Sequence, residues 1–131
     1  MLATELSVLI VDDFEMSRRV LLDILGKLGV TKILEADSGT RAKEILVEKV
    51  KAKEPIDIIF SDWNMPEFTG LDLLKFTKSE EALSKIPFVM VTAESEASSI
   101  MSAIRSGAYD YVVKPIDFEV VSAILERIVN K

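Results

Sequence analysis

The chain has 131 residues, 49% of them hydrophobic and 29% charged, with a formal net charge of −6. That composition fits one globular domain burying about two-thirds of its unfolded surface, and the negative charge argues against nonspecific nucleic-acid binding. The absence of cysteine excludes disulfides and thiolate metal sites, and the absence of histidine removes the usual general base, the usual zinc ligand and any phosphohistidine role. The first residues, Met1 to Ser7, lack the basic end and apolar core of a signal peptide, and no apolar run approaches the ~20 residues of a membrane span. A cytoplasmic, monomeric protein without membrane insertion is expected.

Ser7-Val-Leu-Ile-Val11 is a β-branched run of strand length that stops at Asp12-Asp13. From Phe14 to Leu28, Val20, Leu21, Ile24, Leu25 and Leu28 recur at helical spacing, with Arg18, Arg19 and Lys27 elsewhere on the surface. Gly29 stands where a helix C-cap belongs. Ile33, Leu34 and Ala36 make a weak second strand, and Asp37-Ser38-Gly39 turns into a second helix with Ala42, Ile45, Leu46 and Val50 on one face. Lys51 to Glu54 reads as a solvated, charged helix end with no function of its own.

Ile58, Ile59 and Phe60 form an almost wholly apolar run, the pattern of a strand covered on both faces. It ends in Ser61 and Asp62, after which Trp63, Asn64, Met65 and Pro66 force the chain out of regular structure. Gly70 opens a third helix with Leu71, Leu74 and Leu83 on its apolar side. Phe88 to Val91 is a fourth strand, ending in Thr92, and Glu94-Ser95-Glu96 suits the first turn of a helix. Ala97, Ile100, Met101 and Ile104 then give that helix a buried face, which Gly107 closes, and Met90 and Met101 are read as packing residues. Tyr109 to Val113 is a fifth strand ending in Lys114-Pro115, and Asp117 caps a last helix with Phe118, Val121, Ile124, Leu125 and Ile128 inward.

Five strands alternating with five helices over 1–131, with no linker or repeat, predict an α/β single domain with a parallel sheet and helices on both faces. The flavodoxin-like doubly wound order 2-1-3-4-5 suits this size. All strand C-termini of such a sheet share one edge, so Asp12, Asp13, Asp62, Thr92 and Lys114 are expected around one crevice. Two carboxylates ~5 Å apart repel by roughly 3 kcal/mol at an effective dielectric of ~20, so three of them need cations or a proton. Hard oxygen ligands without His or Cys suit Mg²⁺. Asp62, central and unduplicated, is the candidate nucleophile toward phosphorus, Asp12 and Asp13 the metal pair, and Thr92 and Lys114 the binders of phosphoryl oxygens.

Val11-Asp12-Asp13-Phe14, Ser61-Asp62-Trp63-Asn64-Met65-Pro66 with Gly70, Val91-Thr92-Ala93-Glu94 and Tyr111-Val112-Val113-Lys114-Pro115 together resemble the receiver domain of two-component response regulators, nearest its chemotaxis branch. The resemblance covers the whole chain and implies a stand-alone response-regulatory domain without an effector domain. It implies Mg²⁺-dependent phosphoryl transfer from a histidine kinase to Asp62, with Asp13, Asp62 and the Asn64 backbone carbonyl on the metal and Asp12 acting through water. It further implies that Thr92 and Tyr111 report phosphorylation to a helix 4–strand 5–helix 5 face, and that Lys114-Pro115 is cis. Asn64 and Glu94 occupy the positions that in this family tune loss of the phosphoryl group, and with Trp63 and Tyr111 they match the chemotaxis branch. The partners so implied are a kinase, a flagellar motor switch protein and a phosphatase.

The chain departs from that pattern in two places. The segment from Glu48 to Pro55 is several residues longer than in the best-known chemotaxis regulators, and the fourth and fifth helices lack the basic residues of the family's switch-binding face. A phosphorelay intermediate, or a regulator of a non-flagellar partner, is therefore the alternative within the family. An aspartate-based phosphohydrolase needs a second acid two residues after the nucleophile, where this chain has Asn64, and a flavodoxin needs a phosphate loop where this chain has Asp12, Asp13 and Glu15. The domain is expected to act as a signalling module and not as an enzyme on a separate substrate.

Overall fold

The computed structural model describes residues 2–93 and 97–130, the side chains of 97 and 98 excepted. After a 3₁₀ turn at Ala3–Glu5 come β1 (Ser7–Val11), α1 (Glu15–Lys27), β2 (Lys32–Ala36), α2 (Gly39–Ala52) and β3 (Ile58–Asp62). The chain continues through α3 (Gly70–Ser79), β4 (Phe88–Thr92), α4 (Ala97–Arg105), β5 (Asp110–Val113) and α5 (Phe118–Val129). The five strands form one parallel sheet in the order β2-β1-β3-β4-β5, as the alternation predicts. β3 and β4 are buried along their whole lengths, which is why they lack polar alternation. β2 lies at the edge and exposes Lys32 and Glu35 there.

Alternate strand residues feed two cores. Leu9, Ile59, Phe88 and Met90 pack with α2, α3 and Ala103 of α4, whereas Ile10, Phe60, Val89 and Val112 pack with α1 and α5. Local chemistry sets the helix ends. The Ser38 side chain accepts from Arg41 N, Thr69 and Asp72 form a reciprocal capping box, and Asp117 accepts from Glu119 N. Gly29 and Gly107 stand just past α1 and α4 at φ of +94° and +106°, a left-handed conformation open to glycine.

Several helix faces differ from the sequence reading. Val20 is 45% exposed, because it flanks the stripe made by Leu21, Ile24 and Leu25. Met101 and Ile104 also stand out in solvent, at 48% and 44%, while small Ala103 is, among the described α4 side chains, the one fully buried against the sheet. Val50 and Phe118 are exposed as well, at the two ends of their helices. In α3 the inward pair is Leu73 and Leu74; Leu71 is only partly buried, and Leu83 packs inward from beyond the helix. β3 ends at Asp62, as the sequence reading has it, with Asp62 paired opposite Val91.

Glycines show how tightly the β3–α3 connection is packed. A Cβ on Gly70 would lie 2.1 Å from the Asp62 carbonyl oxygen and 2.9 Å from Trp63 Cα, where nothing can yield without moving the end of β3. By contrast, a Cβ on Gly26 in α1 meets nothing within 4 Å. Gly70→Ala should therefore destabilise the fold by about 2–3 kcal/mol, and Gly26→Ala should stabilise it by about 0.5–1 kcal/mol. Urea unfolding of both variants checks this pair; equal effects would contradict the packing described.

Candidate functional site

Each strand end contributes to the site for a local reason. Asp12 follows β1 and Asp62 closes β3, both among central strands, so their side chains start from buried backbone: Asp12 is 4% and Asp62 7% exposed. Asp13, one residue further on, is exposed at the mouth. Lys114 follows β5, two strands away from β3, and its long side chain reaches back across the edge. Its Nζ lies 3.1 Å from Asp12 Oδ2 and 3.4 Å from Asp62 Oδ1. The other Asp12 oxygen, Oδ1, accepts from the Phe14 backbone N–H at 2.9 Å. Oxygens of Asp12, Asp13 and Asp62 converge within 4.8 Å of one another.

Three carboxylates facing one ammonium leave negative charge in excess. Burial of Asp62, followed by the charge of Asp12, pushes its pKa up from 3.8 to about 6, against the opposing pull of Lys114. An all-oxygen, carboxylate-rich cluster with this deficit of positive charge fits a small hard divalent cation such as Mg²⁺.

The remaining described candidates lie on β4, on β5 and in the loop after β3. Thr92 ends β4, is buried, and its carbonyl accepts from Lys114 N–H at 2.8 Å. Tyr111 pairs with Met90 and Val113 with Thr92, so Tyr111 and Thr92 share one sheet face, with Tyr111 half-buried against the α2–α3 core. Trp63 is partly buried; its N–H donates to Val91 O and its carbonyl accepts from Gly70 N–H, both at 3.0 Å, so the loop is tied down as it leaves the site. Asn64 is exposed in that loop. The Lys114–Pro115 peptide bond is cis, as the resemblance implies. Glu94 lies outside the described residues.

Helical spacing places Arg18 on the surface, but the structure largely buries it. Its side chain is only 16% exposed; Nη1 donates to the Asp12 carbonyl at 2.7 Å, and Nε lies 3.3 Å from Glu35 Oε1 at the end of β2. It thus fastens the β1–α1 corner, which carries Asp12 and Asp13, to the neighbouring strand. The signal available in the sequence was its place in the first turns of α1, directly after the carboxylate pair. The sequence marks Gly39 only as a turn residue, yet a Cβ there would lie 2.3 Å from Phe68 O, so α2 abuts the β3–α3 loop.

The raised Asp62 pKa has a definite sign for stability. The folded value lies above the unfolded one, so the folded protein binds more protons between pH 3.8 and about 6. The corresponding stability is complete below the unfolded value and lost as pH rises through the folded one. In Mg²⁺-free buffer, Asp62→Asn should be more stable than the parent at about pH 7.5, by up to about 3 kcal/mol, with the gap closing near pH 4. Urea titrations at the two pH values check this, and a gap that does not change with pH would contradict it.

Comparison with known proteins agrees with this geometry. The family model of the response regulator receiver domain matches residues 8–126. The chemotaxis protein CheY of Pseudomonas aeruginosa is 39% identical over 126 residues, covering 96% of this chain and 98% of that protein. The crystal structure of Vibrio cholerae CheY4 superposes with a TM-score of 0.78 at 28% identity, covering 94% of this chain and 98% of that one. The receiver domain of the histidine kinase CKI1 from Arabidopsis thaliana, in complex with Mg²⁺ and BeF₃⁻, superposes with a TM-score of 0.78 at 25% identity, covering 98% and 95%. With a matching sheet order and carboxylates gathered at its C-terminal edge, this chain belongs to the response regulator receiver domain family.

Proposed function

We propose that the protein is a phosphorylation-activated switch in which Asp62 accepts a phosphoryl group from a histidine kinase in a Mg²⁺-dependent reaction. The observation that carries this reading is the buried Asp62 carboxylate, held at a strand end between two further aspartates and 3.4 Å from a lysine ammonium. These 131 residues contain no histidine, so the phosphohistidine donor lies outside them.

In the transfer, an Asp62 oxygen forms the new O–P bond while the P–N bond to the donor imidazole breaks, the electron pair leaving with nitrogen. Lys114 is within reach of charge that spreads onto the phosphoryl oxygens. Asp12, Asp13, Asp62 and the Asn64 carbonyl would hold Mg²⁺, which supplies further neutralisation of that charge; the Mg²⁺ and BeF₃⁻ complex of the CKI1 receiver supports this by likeness. The module catalyses its own phosphorylation and dephosphorylation and turns over no separate substrate.

The output follows from Thr92 and Tyr111. Once Asp62 carries a phosphoryl group, the Thr92 hydroxyl is drawn toward it and Tyr111, on the same sheet face, follows into the space released. This shifts a two-state equilibrium of the α4–β5–α5 face. Met101 and Ile104, exposed on α4, support that face as a contact surface. The likeness to CheY proteins supports a cytoplasmic role in chemotaxis, with the flagellar motor switch as partner and a phosphatase resetting the signal.

Acetyl phosphate with Mg²⁺ should add one phosphoryl group, read by intact-mass spectrometry, with Asp62→Asn and chelation each abolishing it. Undiminished labelling of Asp62→Asn would remove the assignment. Trp63, the single tryptophan, should change its fluorescence as Mg²⁺ binds beside it, and Asp13→Asn should weaken that response about tenfold or more. A flat titration would count against the metal site. A pull-down with the phosphorylated protein should capture a flagellar switch component; capture of a histidine phosphotransfer protein instead would assign the chain to a phosphorelay.

A further inference from the structure

The end of the sheet away from the carboxylates carries a surface that phosphoryl chemistry leaves unused. Two hollows, of about 310 and 440 Å³, open between α2 and the α3–β4 connection, the second also reaching Phe76 of α3, and both are lined by Val50, Ala82 and Leu83, so they form one continuous trough. Ile56 and Ile86, just before β3 and β4, place it at the N-terminal ends of the strands. Leu46 and Leu83 form a buried floor, while Val47 and Val50, three residues apart on α2, stand 37% and 43% exposed along the wall.

The rim is basic on an acidic protein. Lys43, Lys49, Lys51 and Lys53 line the trough, against Glu54 and Glu80. Lys49 is tied to Glu54 at 2.9 Å, and Lys43 Nζ lies 4.8 Å from the Phe76 ring centroid. Lys51 and Lys53 make no ion pair among the described residues. The extended segment after Glu48 supplies much of this lining: α2 runs on to Ala52, and Lys53 then turns the chain at a φ of 60°. Lysines in a last helical turn also suit the helix dipole. That accounts for the charges and leaves the exposed valines between them unexplained.

We propose that this trough docks an acidic amphipathic segment of a partner protein. Its apolar side chains would cover Val47, Val50 and Leu83, and its carboxylates would meet Lys43, Lys51 and Lys53. Charge complementarity selects this occupant over a second copy of the chain, since an isologous pairing of the trough would set lysines against lysines. The surface lies at the opposite end of the sheet from Asp62, so docking and phosphorylation can be measured separately.

The probe is a fluorescein-labelled helical peptide with leucines at i, i+3 and i+7 flanked by glutamates, beside a twin with lysine for every glutamate. Anisotropy with the full chain should show saturable binding of the Glu peptide, weakened by salt. Val50→Asp, and separately Lys51→Glu with Lys53→Glu, should each reduce that affinity about tenfold or more, while Val20→Asp on the exposed side of α1 leaves it unchanged. All variants should keep parental circular dichroism and acetyl phosphate labelling, which separates a failed trough from a failed fold or a failed acceptor site. No binding of the Glu peptide, equal binding of its Lys twin, or insensitivity to both trough variants would overturn the proposal. So would self-association of the protein that Val50→Asp abolishes.

Discussion

The ammonium of Lys114, lying between the carboxylates of Asp12 and Asp62, is the contact on which the rest of the site depends. Residues so far apart in sequence meet only because parallel strands β1, β3 and β5 end at the same edge, and that arrangement crowds negative charge into a partly desolvated space. One lysine and the Phe14 N–H compensate part of it. Burial of Asp62 first, and then the charge of Asp12, push its pKa up to about 6 against the pull of Lys114. Such a carboxylate cluster fits a divalent cation, and that cation together with Lys114 would offset the negative charge of an incoming phosphoryl group. The electrostatic cost borne by the folded protein and the proposed reactivity thus have one origin.

Holding such a cluster requires backbone that cannot relax. Gly70 lets α3 start directly against the end of β3, and the two hydrogen bonds of Trp63 tie the intervening loop to β4 and α3. Arg18 fixes the other side by gripping the Asp12 carbonyl and Glu35 together. Beneath this edge, two cores on the faces of one sheet keep strand register, since a slip of one residue would exchange the faces of Thr92 and Asp62. The opposite edge has no such demands, and there the chain accommodates a left-handed lysine and an open apolar trough.

Much of this was legible in the sequence because central strands of a parallel sheet are read by composition alone: Ile58–Phe60 and Phe88–Val91 have no polar face to confuse with a helix. Carboxylates and a lysine directly after such runs were equally plain, and strict alternation of elements placed them on one edge. Helix orientation was harder. The apolar stripe of α4 is wider than its contact with the sheet, and the smallest buried residue, Ala103, decides which side turns inward, leaving Met101 and Ile104 outside. Arg18 escaped for a related reason: periodicity marks a charged residue as outward and cannot tell solvent from a neighbouring carbonyl. The close approaches of Gly39 to Phe68 and of Gly70 to Asp62 are tertiary facts that no local pattern encodes.

The central claim is that one carboxylate, that of Asp62, receives the phosphoryl group. Borohydride reduction of the protein after acetyl phosphate treatment, followed by peptide mass spectrometry, tests it directly, because an acyl phosphate is reduced to an alcohol and leaves homoserine in place of aspartate. If Asp62 is the acceptor, homoserine appears at position 62 alone. Homoserine at Asp12 or Asp13, or none at any position under conditions that label the intact protein, would contradict it.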